Sequence, residues 1–382
     1  MLRTQTARPV FIGSDLYRVS RHAPGHPLAI PRVSLVIDLC RALGWLPDGA
    51  YRESPAATVA DLTRFHAPEY VAAVVDAERS QAVTAAAARL FNLGINGNPI
   101  YPEMFRRPAT ACGASLLAAR LLINGDRVIY NPAGGTHHGQ KARASGFCTF
   151  NDPVLAILAL LDGGLRRVFY LDLDAHFGDG VQCAFNDEPR VFTVSLHEAG
   201  RWPMQRDDLS DGPGGVRDRG GGHARNLPLP PPANDCEFAY LMEASVLPLL
   251  HAVEPDAVVV QCGADALADD PMTRLALSNR ALWQAVAQVA SIAPRLLVLG
   301  GGGYNPWSVA RCWTGIWGVL NGFVVPERLP PEAESVLRAV RWNHRRARSA
   351  PAAWFTGLAD PPHPGPIRPE VRDLAKAALA CG

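Results

Sequence analysis

Cysteine is sparse and unpatterned. There are eight in 382 residues and no C-x-x-C pair, so the chain is not a disulfide framework. Cys148, Cys183 and Cys262 lie in or beside apolar segments, where a reduced, buried thiol is the default. Charge of either sign is not in excess. The net charge is +1, so nothing marks a nucleic-acid binder or a polybasic membrane binder. No apolar run reaches the length of a membrane span. The N-terminus, M-L-R-T-Q-T-A-R-P-V-F-I, lacks the apolar core of a signal peptide. Internal repeats are absent. These absences together point to a cytoplasmic protein. What the chain does have is apolar mass. Hydrophobic residues make up 48%, enough for a sizeable core and against disorder. Its length fits one large α/β domain or two smaller ones.

Chemistry concentrates between Tyr170 and Gly180, Y-L-D-L-D-A-H-F-G-D-G. Val168-Phe169-Tyr170-Leu171 reads as a short buried strand. Strand side chains alternate faces, so Asp172 and Asp174 point the same way, with His176 following as the strand ends. Carboxylates and imidazole at a strand terminus are ligand types for a divalent metal. Buried carboxylates also need a cation or hydrogen bonds to offset desolvation. The plainer alternative is a cap-and-turn set feeding the next helix.

Taken in order, residues 9–13 read as a first strand and 14–29 as a polar loop. Pro31 opens a helix from Val33 to Leu43. Helical segments over 58–92, broken at Pro68, precede a turn-rich loop at 93–100. A helix at 103–123 ends at Asn124-Gly125. Strands are then expected at Val128–Asn131, 167–174, Val191–His197, Ala257–Cys262 and Leu296–Leu299. The helices between and after them fall at Asp152–Leu161, 180–185, 236–252, 279–292 and 306–321. A long Gly- and Pro-rich loop covers 199–235. Alternating βα units imply a parallel sheet with helices on both faces. The site of such a sheet lies in the loops at the carboxyl ends of its strands. Residues 323–382 differ. They are proline-rich, with a basic run from Arg338 to Arg348 that is a solvated face or a partner surface, and a short helix at 369–380 that docks on the body or mediates assembly.

Each strand ends in loaded residues. G-G-T-H-H-G supplies His137 and His138, the acidic stretch supplies Asp172, Asp174, His176 and Asp179, A-V-V-V-Q-C-G-A-D supplies Asp265, and G-G-G-G-Y supplies Tyr304. The Gly300–Gly303 run is not G-x-G-x-x-G and follows the last strand, so a nucleotide loop is disfavoured. Its glycines let backbone pass close to a ligand.

These motifs resemble the zinc-dependent histone deacetylase superfamily, most closely its bacterial acetoin-utilisation, class I-like branch. The likeness runs from about residue 10 to about 322 and includes G-H-P-L near 25, F-N-L-G-I-N-G-N-P at 91–99, R-A-S-G-F-C-T-F-N-D at 143–152, V-S-L-H, N-L-P-L-P and Q-C-G-A-D-A-L-A-D-D-P. It implies a single arginase-like α/β domain over 1–322 with a central eight-stranded, mostly parallel sheet, and 323–382 as an extension that packs on it or builds a homo-oligomer. It implies hydrolysis of acyl-lysine, in proteins or in small acylated amines such as acetylpolyamines, with Zn2+ (or Fe2+ or Co2+) on Asp174, His176 and Asp265. Its implied roles make His138 the general base and His137 its electrostatic partner. Asp172 and Asp179 orient them, and Tyr304 donates to the oxyanion. Gly146, Phe147, Trp202, Met272 and Gly302 line a narrow tunnel, with Met272 near the floor. The resemblance further implies structural K+, one ion around Asp172, Asp174, His176, Ser195 and Leu196, another near Phe185, Glu188 and Val191.

The sequence departs from the family pattern at three places. Phe177 replaces a second histidine, Thr149 replaces an aromatic near the tunnel wall, and Gly97 falls where many members have a rim aspartate. The last is expected to relax peptide-backbone recognition or favour small acylated amines. The loop 204–225 is expected either to border the tunnel mouth or to be a mobile surface loop.

Overall fold

The computed structural model describes residues 8–23, 25–204 and 210–380. Eight strands form one sheet: β1 (Val10–Gly13), β2 (Tyr51–Glu53), β3 (Val128–Asn131), β4 (Val168–Asp172), β5 (Val191–Glu198), β6 (Ala224–Leu229), β7 (Ala257–Gln261) and β8 (Leu296–Leu299). Their order is β2-β1-β3-β8-β7-β4-β5-β6. Every pairing is parallel, so "mostly parallel" is tightened to wholly parallel.

The central strands are apolar on both faces because both are covered. Tyr130, Phe169, Leu171, Val258, Val260 and Val298 join one core, with Trp307, Trp313 and Trp317 of the helix Pro306–Asn321. Ile129, Val168, Tyr170, Val259 and Leu297 join the other, against Ala118 and Leu122 of Arg106–Ile123 and Val154 and Ile157 of Asp152–Asp162. Each tryptophan satisfies its indole N–H on a carbonyl: Trp307 on Leu337, Trp313 on Cys262 and Trp317 on Trp45.

Two strands escape the sequence reading. β2 is three residues long. β6 lies inside the stretch read as a loop, because N-L-P-L-P carries a proline at Pro228. Both are edge strands, and an edge tolerates a residue that cannot donate to a neighbour. The loop at 14–29 also holds a helical turn, Leu16–Val19.

Helical backbone runs unbroken from Asp235 to Val253 through a π-helical turn at Met242–Val246. At 19 residues it is long and apolar enough to cross a membrane by length and composition, which corrects the reading that no segment reaches that length. Here it is a core helix: Phe238, Leu241, Met242, Val246 and Leu250 lie in the main hydrophobic cluster.

Leu329, Leu337, Trp354, Leu358, Val371 and Leu374 of the C-terminal stretch belong to that same cluster. Two ion pairs add to the contact. Arg368 Nε lies 2.5 Å from Glu237 Oε1 and Arg311 Nη2 lies 2.7 Å from Asp360 Oδ1. In the basic run, Arg338 pairs with Glu334 across one helical turn.

Candidate active site

The path from β3 to β4 passes over two later strands, β8 and β7, that lie between them. Four loops therefore converge where the strand order switches, and ligands of open α/β sheets bind there.

The loop after β3 carries His137 and His138. Asn151, which caps the helix Asp152–Asp162, donates from Nδ2 to the carbonyls of His137 (3.2 Å) and Gly139 (2.9 Å). Each imidazole rests on its own carboxylate. His137 Nδ1 lies 2.7 Å from Asp172 Oδ2, and His138 Nδ1 lies 2.6 Å from Asp179 Oδ1. Asp172 also accepts from the Tyr170 hydroxyl at 2.7 Å, and Asp179 from Gln140 Nε2 at 3.0 Å. Burial alone would lower both imidazole pKa values. Asp172 and Asp174 overcome it and raise His137 to about 9. At His138, burial and the neighbouring His137 charge outweigh Asp179, and the pKa falls.

Asp174, His176 and Asp265 form the one cluster of metal-ligand type among the described residues, with one ligand atom from each within 4.8 Å of the others. All three side chains are buried. His176 Nδ1 lies 3.2 Å from Asp174 Oδ1 and 2.9 Å from Asp265 Oδ2. Burial and the Asp174 charge push Asp265 up to about 6. Burial would lower His176, but the two carboxylates raise it to about 10. Two buried carboxylates converging on one nitrogen require positive charge at that point, so the donor set fits a divalent cation. Asp174 Oδ2 is held by Gln261 Nε2 and the Gly302 N–H, each at 2.8 Å, and Asp265 Oδ1 by the Ala175 N–H at 3.0 Å. A Cβ on Gly302 would collide with Asp265, and one on Gly263 with Asp174. Those glycines let the backbone pass beside the ligands.

Above this cluster is a cavity of about 500 Å³ lined by His138, His176 and Tyr304 together with Gly146, Phe147, Trp202 and Met272. A smaller inner chamber is lined by Gly302, both histidines, Asp174 and His176. Met272 lines the outer cavity and not the inner one. Gly146 and Phe147 both take positive φ, 51° and 66°. A Cβ at 146 would collide with His138 and sit 2.7 Å from Trp202. The Phe147 N–H is held by Asn98 Oδ1 at 3.1 Å. The Tyr304 N–H is anchored on Asp270 Oδ2 at 2.7 Å. Burial, reinforced by the Asp265 and Asp174 charges, raises the phenol pKa far above its usual value.

Phe177 packs on His197, ring centroids 5.2 Å apart. Ser195 pairs in register with Asp172, and Leu196 follows it in β5. Phe185, Glu188 and Val191 cluster at one turn, where the Glu188 N–H donates to the Phe185 carbonyl and the Val191 N–H to that of Glu188. Of the loop 204–225, residues 205–209 lie outside the described residues; Asp218 holds the Gly214 N–H at 2.9 Å and Gln182 Nε2 at 2.8 Å.

Sequence reasoning missed several supporting groups. Gln261 holds Asp174, Asp270 anchors Tyr304, and Arg32 reaches the Gly301 carbonyl at 2.7 Å while lining the inner chamber.

Residues 26–320 match the family described as "Histone deacetylase domain". The chain belongs to the histone deacetylase family. It is 31% identical to the acetoin utilization protein AcuC of Bacillus subtilis, over 95% of this chain and 94% of that protein. It is 37% identical to histone deacetylase 1 of Oryza sativa over 81% of this chain, but spans only 59% of that longer protein. The crystal structure of a histone deacetylase homolog from Aquifex aeolicus superposes with a TM-score of 0.90 at 35% identity, over 98% of this chain and all of that one. The same values describe a histone deacetylase homolog complexed with SAHA. As a member of this family the chain is an amidohydrolase.

Proposed function

We propose that the chain hydrolyses the amide bond of acylated lysine. The observation that supports this most directly is the pairing of two histidines, each on its own carboxylate, with an Asp-His-Asp cluster at the inner end of an apolar cavity. Phe147, Trp202 and Met272 offer the apolar wall that a lysine's methylene stem fits. Asp174, His176 and Asp265 would hold Zn2+, which when bound lowers the pKa of a water towards about 7 and polarises a carbonyl.

His138 accepts the proton of the attacking water and returns it to the leaving amine. Its Nδ1–H on Asp179 fixes the tautomer that leaves Nε2 free to accept. His137, kept cationic by Asp172, offsets negative charge that builds at the carbonyl. Tyr304, whose raised pKa keeps its proton in place, donates its hydroxyl to the oxyanion. Backbone carbonyls around Asp172, Asp174, His176, Ser195 and Leu196, and around Phe185, Glu188 and Val191, would hold potassium.

The test is turnover of acetyl-, propionyl-, butyryl- and lactyl-lysine peptides by zinc-loaded protein, with His138→Ala as control. Turnover that disappears in the variant supports the reading. A zinc-loaded protein that turns over no acylated amine overturns it.

A further inference from the structure

The outer cavity is charged on one side only. Arg143 and Arg201 line it together with His138, His176 and Tyr304, and among the described residues no aspartate or glutamate does. The remaining polar side chains at the opening are neutral: Asn92, Asn96 and Ser145.

The Arg143 backbone and the Arg201 guanidinium are held in place. The Arg143 backbone is clamped on one side by the Gln140 N–H on its carbonyl at 3.1 Å. On the other side the Ala144 N–H donates to Phe91 at 3.0 Å and Asn92 Nδ2 to the Ala144 carbonyl at 2.8 Å. Its guanidinium is exposed and makes no ion pair among the described residues. Arg201 Nη2 lies 2.8 Å from Glu198 Oε1. Glu198 does not cancel it, because that buried carboxylate also accepts from Arg274 Nε at 3.2 Å and the Arg274 N–H at 2.6 Å. Two guanidiniums share one carboxylate, and among the described residues the corner stays net positive. Arg201 Nε is buried with no partner. Position 97, beside Phe147, adds no side chain: a Cβ there would lie 2.5 Å from Phe147 Cε1.

Resting on the deacylase reading, we infer that Arg143 and Arg201 form a carboxylate-recognising rim, so the preferred substrate carries a carboxylate beside the acylated lysine. Guanidinium forks match carboxylate geometry and attract it over the distance of a tunnel mouth. A cationic acylpolyamine meets like charge here. The carboxylate has two sources: an Asp or Glu flanking the acyl-lysine in a peptide, or the α-carboxylate of free Nε-acyl-lysine.

The test compares kcat/KM of the zinc-loaded enzyme on end-blocked acetyl-lysine peptides with Asp, Ala or Lys flanks, on free Nε-acetyl-lysine against its amide, and on N-acetylputrescine, at low and high salt. The Asp-flanked peptide is expected to exceed the Lys-flanked one roughly tenfold, and the gap to shrink with salt. Arg143→Ala and Arg201→Ala should each narrow that ratio, and Arg143→Glu should invert it. A preference confined to the peptides assigns the carboxylate to a flanking side chain; one confined to the free amino acid assigns it to the α-carboxylate. Equal turnover of anionic, neutral and cationic substrates, or a ratio unmoved in Arg143→Glu, overturns the rim and leaves the deacylase reading standing. Absence of any His138-dependent turnover overturns both.

Discussion

Gly97 and Phe147 compete for one space. A Cβ on Gly97 would lie 2.5 Å from Phe147 Cε1, and Gly97 itself has φ 79°. Gly97→Ala is therefore expected to cost about 1–3 kcal/mol from crowding and left-handed strain together. It should also raise KM for acyl-lysine if Phe147, which lines the tunnel, yields into it. Denaturant unfolding and steady-state kinetics measure the two effects; an unchanged KM would show that the ring has another way out.

His138 and Asp179 form the shorter of the two histidine–carboxylate contacts. Asp179→Asn should lower kcat by roughly 10- to 100-fold while leaving KM near the wild-type value, since it acts on orientation. His138→Ala should lose more, on the order of 10²- to 10⁴-fold. An Asp179→Asn enzyme as fast as wild type would remove the carboxylate from the mechanism.

Removing metal leaves Asp174 and Asp265 facing each other with only the His176 proton between them. Chelation should abolish turnover and lower Tm, and Zn2+ should restore both, because an ion that binds only the folded state stabilises it. Asp265→Ala should abolish stoichiometric metal binding by elemental analysis. Full metal content in that variant would move the site elsewhere.

Acid stability should hinge on His66 and His197. His66 Nδ1–H donates to the Gln140 carbonyl and its Nε2 accepts from the Asn151 N–H, each at 3.0 Å. His197 Nε2–H donates to the Gly214 carbonyl at 3.0 Å while Nδ1 accepts from Ser195 Oγ at 2.9 Å. Burial, against those bonds, lowers both to about 4. The unfolded chain, near 6.5, binds more protons in between. Stability is therefore full above about pH 6.5 and falls as the pH drops towards 4, by at most about 3 kcal/mol for each residue. Unfolding midpoints flat over that range would contradict it; His66→Gln should flatten part of the slope.

Glu237 is buried and its charge is met by Arg368. Arg368→Ala leaves that carboxylate only the Asn234 and residue-368 backbone N–H groups and should cost on the order of 1–3 kcal/mol. Arg368→Ala with Glu237→Gln should recover most of it. Additive losses in the double variant would mean that the pair is not coupled.

The chemistry of this site was readable where it is contiguous. Asp172, Asp174 and His176 follow one buried strand, so alternation alone puts the carboxylates together. The supporting groups were not readable because they act across the chain: Arg32 reaches Gly301 over 269 residues of sequence, and Gln261 looks like an ordinary strand residue until its amide is seen on Asp174. β6 was hidden by Pro228, which no central strand could carry. The Arg143 and Arg201 rim was equally silent, since two arginines 58 positions apart (201 − 143) signal nothing until one cavity contains both.

The placement of β8 between β3 and β7 also sets an order of assembly. A growing chain that has emerged as far as residue 290 already holds both histidines and all three residues of the Asp-His-Asp cluster. It still lacks the strand that joins the two halves of the sheet. β3, with the histidines, and β7 and β4, with the carboxylates, have no common neighbour until Leu296–Leu299 arrives. Catalytic competence is thus expected to wait for about the last quarter of synthesis, and a chain cut before β8 is expected to be inactive.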